Sequence, residues 1–270
     1  AYTAPSGFKA LCTANLPAPL VTKPSEYMDV ALYTGNGSTQ TISGLEFSPD
    51  LVWIKNCAAA DNHKLLDTVR GATEELESNT TDAEVTNADG LTAFNSDGFD
   101  LGADAEYNTN TETYVAWTWD AGSSTVTNTD GSITSQVRAN ASAGFSIVTY
   151  TGNGTAGATV GHGLGVAPEM IIIKNRDQAD AWQVYHAANI ANPETVYLVL
   201  DTPAGIVVAL DRWNDTAPGA SVFTLGDGVE VNTNTEDYVA YCFTGVSGYS
   251  SFGSYTGNGS TDGPFVYTGF

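Results

Sequence analysis

Tyr33-Thr34-Gly35-Asn36-Gly37-Ser38 returns as Tyr150-Thr151-Gly152-Asn153-Gly154-Thr155 and again as Tyr255-Thr256-Gly257-Asn258-Gly259-Ser260. Two further echoes keep the same order. Asn108-Thr109-Asn110-Thr111-Glu112-Thr113-Tyr114-Val115-Ala116-Trp117 recurs at Asn232–Tyr241, and Pro49–Asn56 recurs at Pro168–Asn175. The repeats stand about a hundred residues apart, a domain's length and too long for a solenoid unit. The chain reads as a tandem of one domain.

Between the motifs lie short β-branched and aromatic runs: Leu51–Lys55, Thr113–Trp119, Phe145–Tyr150, Met170–Lys174, Val196–Leu200, Val222–Leu225 and Tyr238–Phe243. Gly, Asn, Asp, Ser and Thr separate them, which is the pattern of an all-β protein. The expected fold is a tandem of antiparallel, jelly-roll-like β-sandwiches. Asp89-Gly90, Asp97-Gly98, Asp130-Gly131 and Asp227-Gly228 are expected to supply the positive φ of hairpin turns. The best helical stretch is Thr73–Leu76, a single turn.

The expected organisation is an extended, Pro-rich connector over 1–29, copy one over 30–122, a linker over 123–142, copy two over 143–247, and the start of a third copy or a docked tail over 248–270. The linker has a second reading as a hairpin arm in which Val126, Ile133 and Val137 pair across Asp130-Gly131. The third copy stops so early that the chain is expected to be an excerpt of a longer modular protein. Along the last strand of each copy, Val115, Trp117 and Trp119 match Val239, Tyr241 and Phe243. Period-two alternation puts these on one face, expected to be the core, so Trp117→Ala is expected to cost about 3–5 kcal/mol.

Composition narrows function. The 270 residues carry 9 Lys and Arg against 31 Asp and Glu, a net charge of −22. Such a surface repels phosphate backbones, so a nucleic-acid partner is not expected. No run is long enough to cross a membrane as a helix, and no membrane partner is expected. The three cysteines, Cys12, Cys57 and Cys242, are too few and too scattered for a disulfide framework.

Candidate chemistry is sparse. Gly152–Gly157 has dinucleotide-fingerprint spacing but no helical stretch after it, so it reads as a turn. His63, His162 and His186 lie far apart and have no counterparts between copies. Asp104, Glu106, Asn108, Asn110 and Glu112 alternate with period two. If extended, they would line one oxygen-rich face able to hold Ca²⁺; a solvated edge is the competing reading. Trp182 and Trp213 sit in loop-rich stretches and are the candidate sugar-stacking residues, with burial as the competing reading. Recognition is expected in the divergent loops Asp61–Glu84 and Asp177–Pro218. No nucleophile, paired carboxylates or phosphate loop is shared by the copies, so no enzyme activity and no cofactor are expected.

Tyr33–Ser38, Gly44–Asn56, Val69–Thr73 and Phe94–Phe99, in that order, resemble a repeated domain of unassigned activity in virion proteins of marine bacteriophages, tail and tail-fibre proteins among them. Copy two matches at Gly163-Leu164 and Pro168–Asn175 but has no equivalent of Val69-Arg70-Gly71. The opening Pro5–Pro17 is similar to the segment that precedes the domain there. The resemblance implies a structural module of a virion appendage, most readily a tail fibre in host attachment. Such a module would be made in the host cytoplasm, packed against other virion proteins, trimeric if a fibre, and open to a host-surface glycan. A capsid decoration or head fibre, a polysaccharide-degrading tail spike and a bacterial surface adhesin are the alternatives.

Overall fold

The computed structural model describes residues 19–268. The expected connector over 1–18 and Cys12 lie outside the described residues. Within its described part, Pro24–Glu26 forms a 3-10 turn, and Met28 and Asp29 already belong to the first strand.

Copy one contains β1 (Met28–Thr34), β2 (Gln40–Ser43), β3 (Leu51–Asn56), β4 (Lys64–Asp67), β5 (Gly71–Glu77), β6 (Val85–Thr86), β7 (Leu91–Asn95), β8 (Gly98–Leu101), the one-turn helix α1 (Ala105–Asn108) and β9 (Thr113–Trp119). A large sheet of order β1-β9-β3-β4-β5-β6 covers a small sheet of order β2-β8-β7. Copy two contains β10 (Thr125–Asn128), β11 (Ser135–Asn140), β12 (Phe145–Thr151), β13 (Thr159–Gly161), β14 (Met170–Asn175), β15 (Gln183–His186), β16 (Val196–Val199), β17 (Val207–Val208), α2 (Leu210–Trp213), β18 (Val222–Thr224), α3 (Val229–Asn232) and β19 (Asp237–Phe243). Its large sheet runs β10-β11-β12-β19-β14-β15-β16-β17 over the pair β13-β18. The protein is an all-β pair of antiparallel sandwiches. The order β1-β9-β3-β4-β5 is repeated as β12-β19-β14-β15-β16. Register repeats too: Trp53 pairs with Trp117 as Ile172 pairs with Tyr241.

Several expectations are corrected. Thr73–Leu76 is strand β5, because its side chains alternate across a sheet between β4 and β6. Of the two readings of residues 123–142 the hairpin arm holds, with Val126 paired to Val137 and Ile133 bridged instead to Val160; β11 continues onto β12, so this segment is the edge of copy two's sheet. Residues 61–84 and 177–218, read as loops, contain β4 and β5, and β15 to β17 with α2. Glycines 90, 98, 131 and 228 are absent from the positive-φ positions of the described residues. They are there for space. A Cβ on Gly98 would fall 1.8 Å from the Ile42 carbonyl oxygen, and one on Gly131 2.3 Å from that of Thr159.

The largest correction concerns the core. The face of β9 that meets the small sheet carries Tyr114 and Ala116, packed with Tyr33, Val52, Ile54, Leu66, Phe99 and Leu101. The matching face in copy two carries Tyr238, Ala240 and Cys242. Trp119 and the pair Tyr241 and Phe243 lie on the opposite face, where the two large sheets meet. Both faces of these strands are apolar because each large sheet has a neighbour on either side. Alternation alone cannot say which is the inside of the sandwich. The layers run small sheet, large sheet, large sheet, small sheet, and a third apolar layer between the two large sheets joins the copies.

The repeated motifs account for how each sandwich closes. Asn108 and Asn232 are buried at the end of α1 and α3. Each accepts the backbone N–H of the first motif asparagine, Asn36 or Asn153, at 2.8 and 2.9 Å. Asn108 Nδ2 donates to Ser38 O and Gly102 O, and Asn232 Nδ2 to Thr155 O and Gly226 O. Tyr33 stacks on Tyr114 at 5.0 Å and its hydroxyl donates to Tyr107 O; Tyr150 and Tyr238 repeat this at 5.2 Å, with Val231 O as acceptor. Positive φ falls on the second glycine of each motif, Gly37, Gly154 and Gly259. The first glycine is a close approach: a Cβ on Gly35 or Gly152 would stand 2.2 Å from the Thr109 or Thr233 carbonyl oxygen. Gly257 has nothing within 4 Å. Gly35→Ala and Gly152→Ala are each expected to cost about 1–3 kcal/mol by overpacking. Gly257→Ala should stay within about 0.5 kcal/mol of the parent. Chemical denaturation of the three variants checks this, and equal losses at all three positions would refute the close-approach reading of the first motif glycine.

Candidate functional site

The two candidate sugar-stacking residues are both interior, which corrects the expectation for them. Trp182 is fully buried between the copies and its Nε1 donates to Glu77 O across the interface at 2.9 Å. Trp213 lies in the copy-two core, edge-on to Tyr185, and donates to Val196 O at 2.9 Å. An indole N–H held by a carbonyl in a closed core is a packing device.

The acidic stretch does not extend along one face. Asp104 caps α1 by accepting Glu106 N, Asn108 is the buried latch, Asn110 is exposed, and Glu112 accepts Asn56 Nδ2 at 2.5 Å. Thr111 adopts φ 70°, which turns the chain before β9. The five side chains therefore face different partners. Glu106 does join Glu75 and Glu77, whose ligand atoms lie within 4.8 Å of one another. Lys64 Nζ is already among them, at 2.6 Å from Glu75, 2.5 Å from Glu77 and paired with Glu106. Burial works against the Lys64 charge, but Glu106, Glu75 and Glu77 outweigh it and hold its pKa above the ordinary value. The ammonium supplies the positive charge that a metal would bring. In copy two Gln183 replaces Lys64, and Arg212 reaches in to Gln183 Oε1 at 2.9 Å and Glu230 Oε1 at 2.6 Å.

A lysine that is repeated does comparable structural work. Lys174 is buried and donates to Asn175 O and Gln178 O, as Lys55 donates to Asn56 O and Ala59 O. Burial pulls Lys174 down to about 8. A base whose folded pKa is depressed binds fewer protons when folded than when unfolded, between about 8 and its ordinary value. Its contribution to stability therefore rises as pH rises through that window. The parent should gain stability between pH 8 and 10 relative to Lys174→Met. Parallel denaturation curves with a constant gap would contradict this.

The interface also carries a polar network. Arg70 and Asp67 are fully buried. Arg70 Nε bonds Asp67 Oδ2 at 2.6 Å, its Nη1 bonds Glu84 at 2.7 Å and its Nη2 bonds the Tyr241 hydroxyl of copy two at 3.2 Å. That hydroxyl donates to Asp67 at 2.8 Å, and Arg176 of copy two pairs with Glu84 at 2.6 Å. Asp50, ahead of β3, pairs with Arg138 of β11 at 2.7 Å. The Val69-Arg70-Gly71 motif has no copy-two equivalent because it is one half of this joint.

The joint covers the β3-β4-β5 side of copy one's large sheet and reaches β9 at Trp119, whose ring meets Phe145 and Phe243 of copy two; β1 and Trp117 lie outside that layer. Val30 and Leu32, on the outer face of β1, are 42% and 78% exposed. Beside them Trp53 and Trp117 meet edge to face at 6.3 Å. With Trp119 and His63 they line an open cleft of about 330 Å³. Burial, then Lys55 nearby, lowers the His63 pKa, which favours a neutral imidazole. His162 is buried against Gly219 O and the Leu164 N–H, and His186 lies by Phe252, so the three histidines do not converge. Cys57 is exposed; Cys242 is buried in the copy-two core and its thiol is pushed up to about 12. Sequence reasoning missed the cleft because it assigned Trp117 and Trp119 to the core.

Comparison with curated proteins gives no match. Residues 23–270 match the family described as "Domain of unknown function (DUF7483)", a span that takes in both sandwiches, the joint between them and the third Tyr-Thr-Gly-Asn-Gly-Ser stretch, and the chain belongs to that family.

Proposed function

We propose that this chain is a rigid structural module of a bacteriophage virion appendage, with a tail fibre in host attachment as the favoured form. The observation that carries the mechanical part is the joint. Two sandwiches share an apolar layer and a buried ion network, so the pair acts as one stiff body. Linked domains without such a layer move relative to each other by default. The repeated residues are committed to closing turns and pairing buried charges, which suits a spacer. The likeness to marine phage virion proteins supplies the biological setting, and the net charge of −22 suits a crowded, soluble particle surface. In this reading its partners are other virion proteins and it is made in the host cytoplasm.

The test is gold labelling of intact particles with antibody raised against the purified chain. Label on the tail supports the proposal. Label on the head moves the assignment to a decoration or head fibre, and label on uninfected cells moves it to an adhesin. A reducing-end assay on host envelope polysaccharide is the check on the spike alternative. The cluster of Glu75, Glu77 and Glu106 is neutralised by Lys64, which leaves no free acid and base pair within it.

A further inference from the structure

We infer that the open shelf formed by Trp53, Trp117, Trp119 and His63 binds a neutral polysaccharide, with sugar rings stacked on the indoles. The inference stands on the geometry of copy one and does not depend on the appendage reading.

Four observations lead there. The first is the contrast between tryptophans. Trp182 and Trp213 are closed in and anchored through Nε1 to backbone carbonyls. The shelf indoles are only half-buried, and Trp53 Nε1, itself a buried atom, has no acceptor. The second is the contrast between copies. Ile172, Tyr241 and Phe243 occupy the positions of Trp53, Trp117 and Trp119, and there copy one packs against them. Tyr241 is closed in by copy one, whereas its counterpart Trp117 lies outside that layer, with Trp53 and Trp119 at the layer's edge. With the exposed Val30 and Leu32 beside it, the shelf forms a contiguous apolar patch of the kind that marks a binding surface.

The third is size. Four side chains line a cleft of about 330 Å³. A stable protein interface takes about 20–30 residues a side, whereas small-ligand sites begin near this volume. The shelf fits a few sugar rings better than a folded partner. The fourth is charge. The four lining groups carry no carboxylate and no ammonium, and Lys55, the cation near His63, is committed to Asn56 O and Ala59 O. The chain's charge of −22 repels an anionic polymer before contact. A neutral sugar has what the shelf can use: an apolar C–H face for the rings and hydroxyls for the one donor and one acceptor of a neutral His63.

The experiment is a tryptophan-fluorescence titration of the intact chain with four neutral polysaccharides: a β-1,3-glucan, dextran, a galactan and a mannan. Alginate and choline chloride serve as charged counter-probes. The expected result is a saturable change with at least one neutral polymer, at least tenfold weaker in Trp117→Ala and in His63→Ala. N-bromosuccinimide oxidation of the unaltered chain gives a readout independent of variant folding. Trp53, Trp117 and Trp119 should react ahead of Trp182 and Trp213, and the bound polymer should protect them. No response to any of the four polymers overturns the inference, as does protection that misses the shelf. A response to alginate or choline alone overturns it in favour of a charged ligand. A concentration-dependent dimer abolished by Trp117→Ala overturns it in favour of a second copy of the chain.

Discussion

Asp67→Ala is expected to lower the unfolding free energy by about 3–5 kcal/mol, the range for removing one partner of a buried ion pair. The loss is large because Arg70 stays behind. Its guanidinium is fully buried, and Asp67 receives its Nε at 2.6 Å. Asp67 also accepts the backbone N–H groups of Val69 and Arg70 and the Tyr241 hydroxyl, so one truncation leaves several donors unpaired in a dry layer. Glu84 still faces Arg70 at 2.7 Å but is shared with Arg176. Removing both ends together should be milder. Asp67→Leu with Arg70→Met replaces the pair by apolar groups, and such exchanges are often neutral. Urea denaturation of the two single variants and the double variant measures the coupling. Additive losses would mean that Asp67 and Arg70 do not act as a unit.

The fold class was legible because seven β-branched or aromatic runs were each long enough to pair and were bounded by turn residues. All seven are strands, with ends shifted by a residue or so. The repeat was legible for a physical reason also visible in hindsight. Tyr33, Asn36, Asn108 and Tyr114 make one closed set of contacts, and copy two keeps every member of it as Tyr150, Asn153, Asn232 and Tyr238. The sequence concealed which apolar face was the interior. Tyr114 and Trp117 point to opposite sides of one strand, both sides meet apolar neighbours, and period two ranks neither. Trp182 was misread because its strand starts only at Gln183 and its acceptor, Glu77, lies in the other copy. The Asp-Gly pairs were misread because close backbone approach and positive φ both select glycine, and only coordinates separate them. The absence of Val69-Arg70-Gly71 from copy two was the one sequence sign of an asymmetric joint.

Trp182→Ala should be the most damaging single truncation of the apolar layer, costing about 3–5 kcal/mol. The ring is completely buried among residues of both copies, including Leu65 and Leu76 from one and Val184 from the other. Neither sheet can collapse into the space without breaking its own ladder, so much of the cavity persists. The same change strands Glu77 O, which loses its Nε1 donor in a half-buried setting. Trp117→Ala is the natural comparison. Its ring is half-exposed at the rim, so the cost should fall to about 1 kcal/mol, the centre of the distribution for point substitutions, in place of the value that a core position would give. The two variants also differ in kind. Trp182 lies between the sandwiches, so its loss should uncouple them and split one calorimetric transition into two. Trp117→Ala should keep a single transition. One unsplit, nearly unshifted transition in Trp182→Ala would show that the layer does not join the sandwiches, and with it the stiffness on which a spacer role depends would be lost.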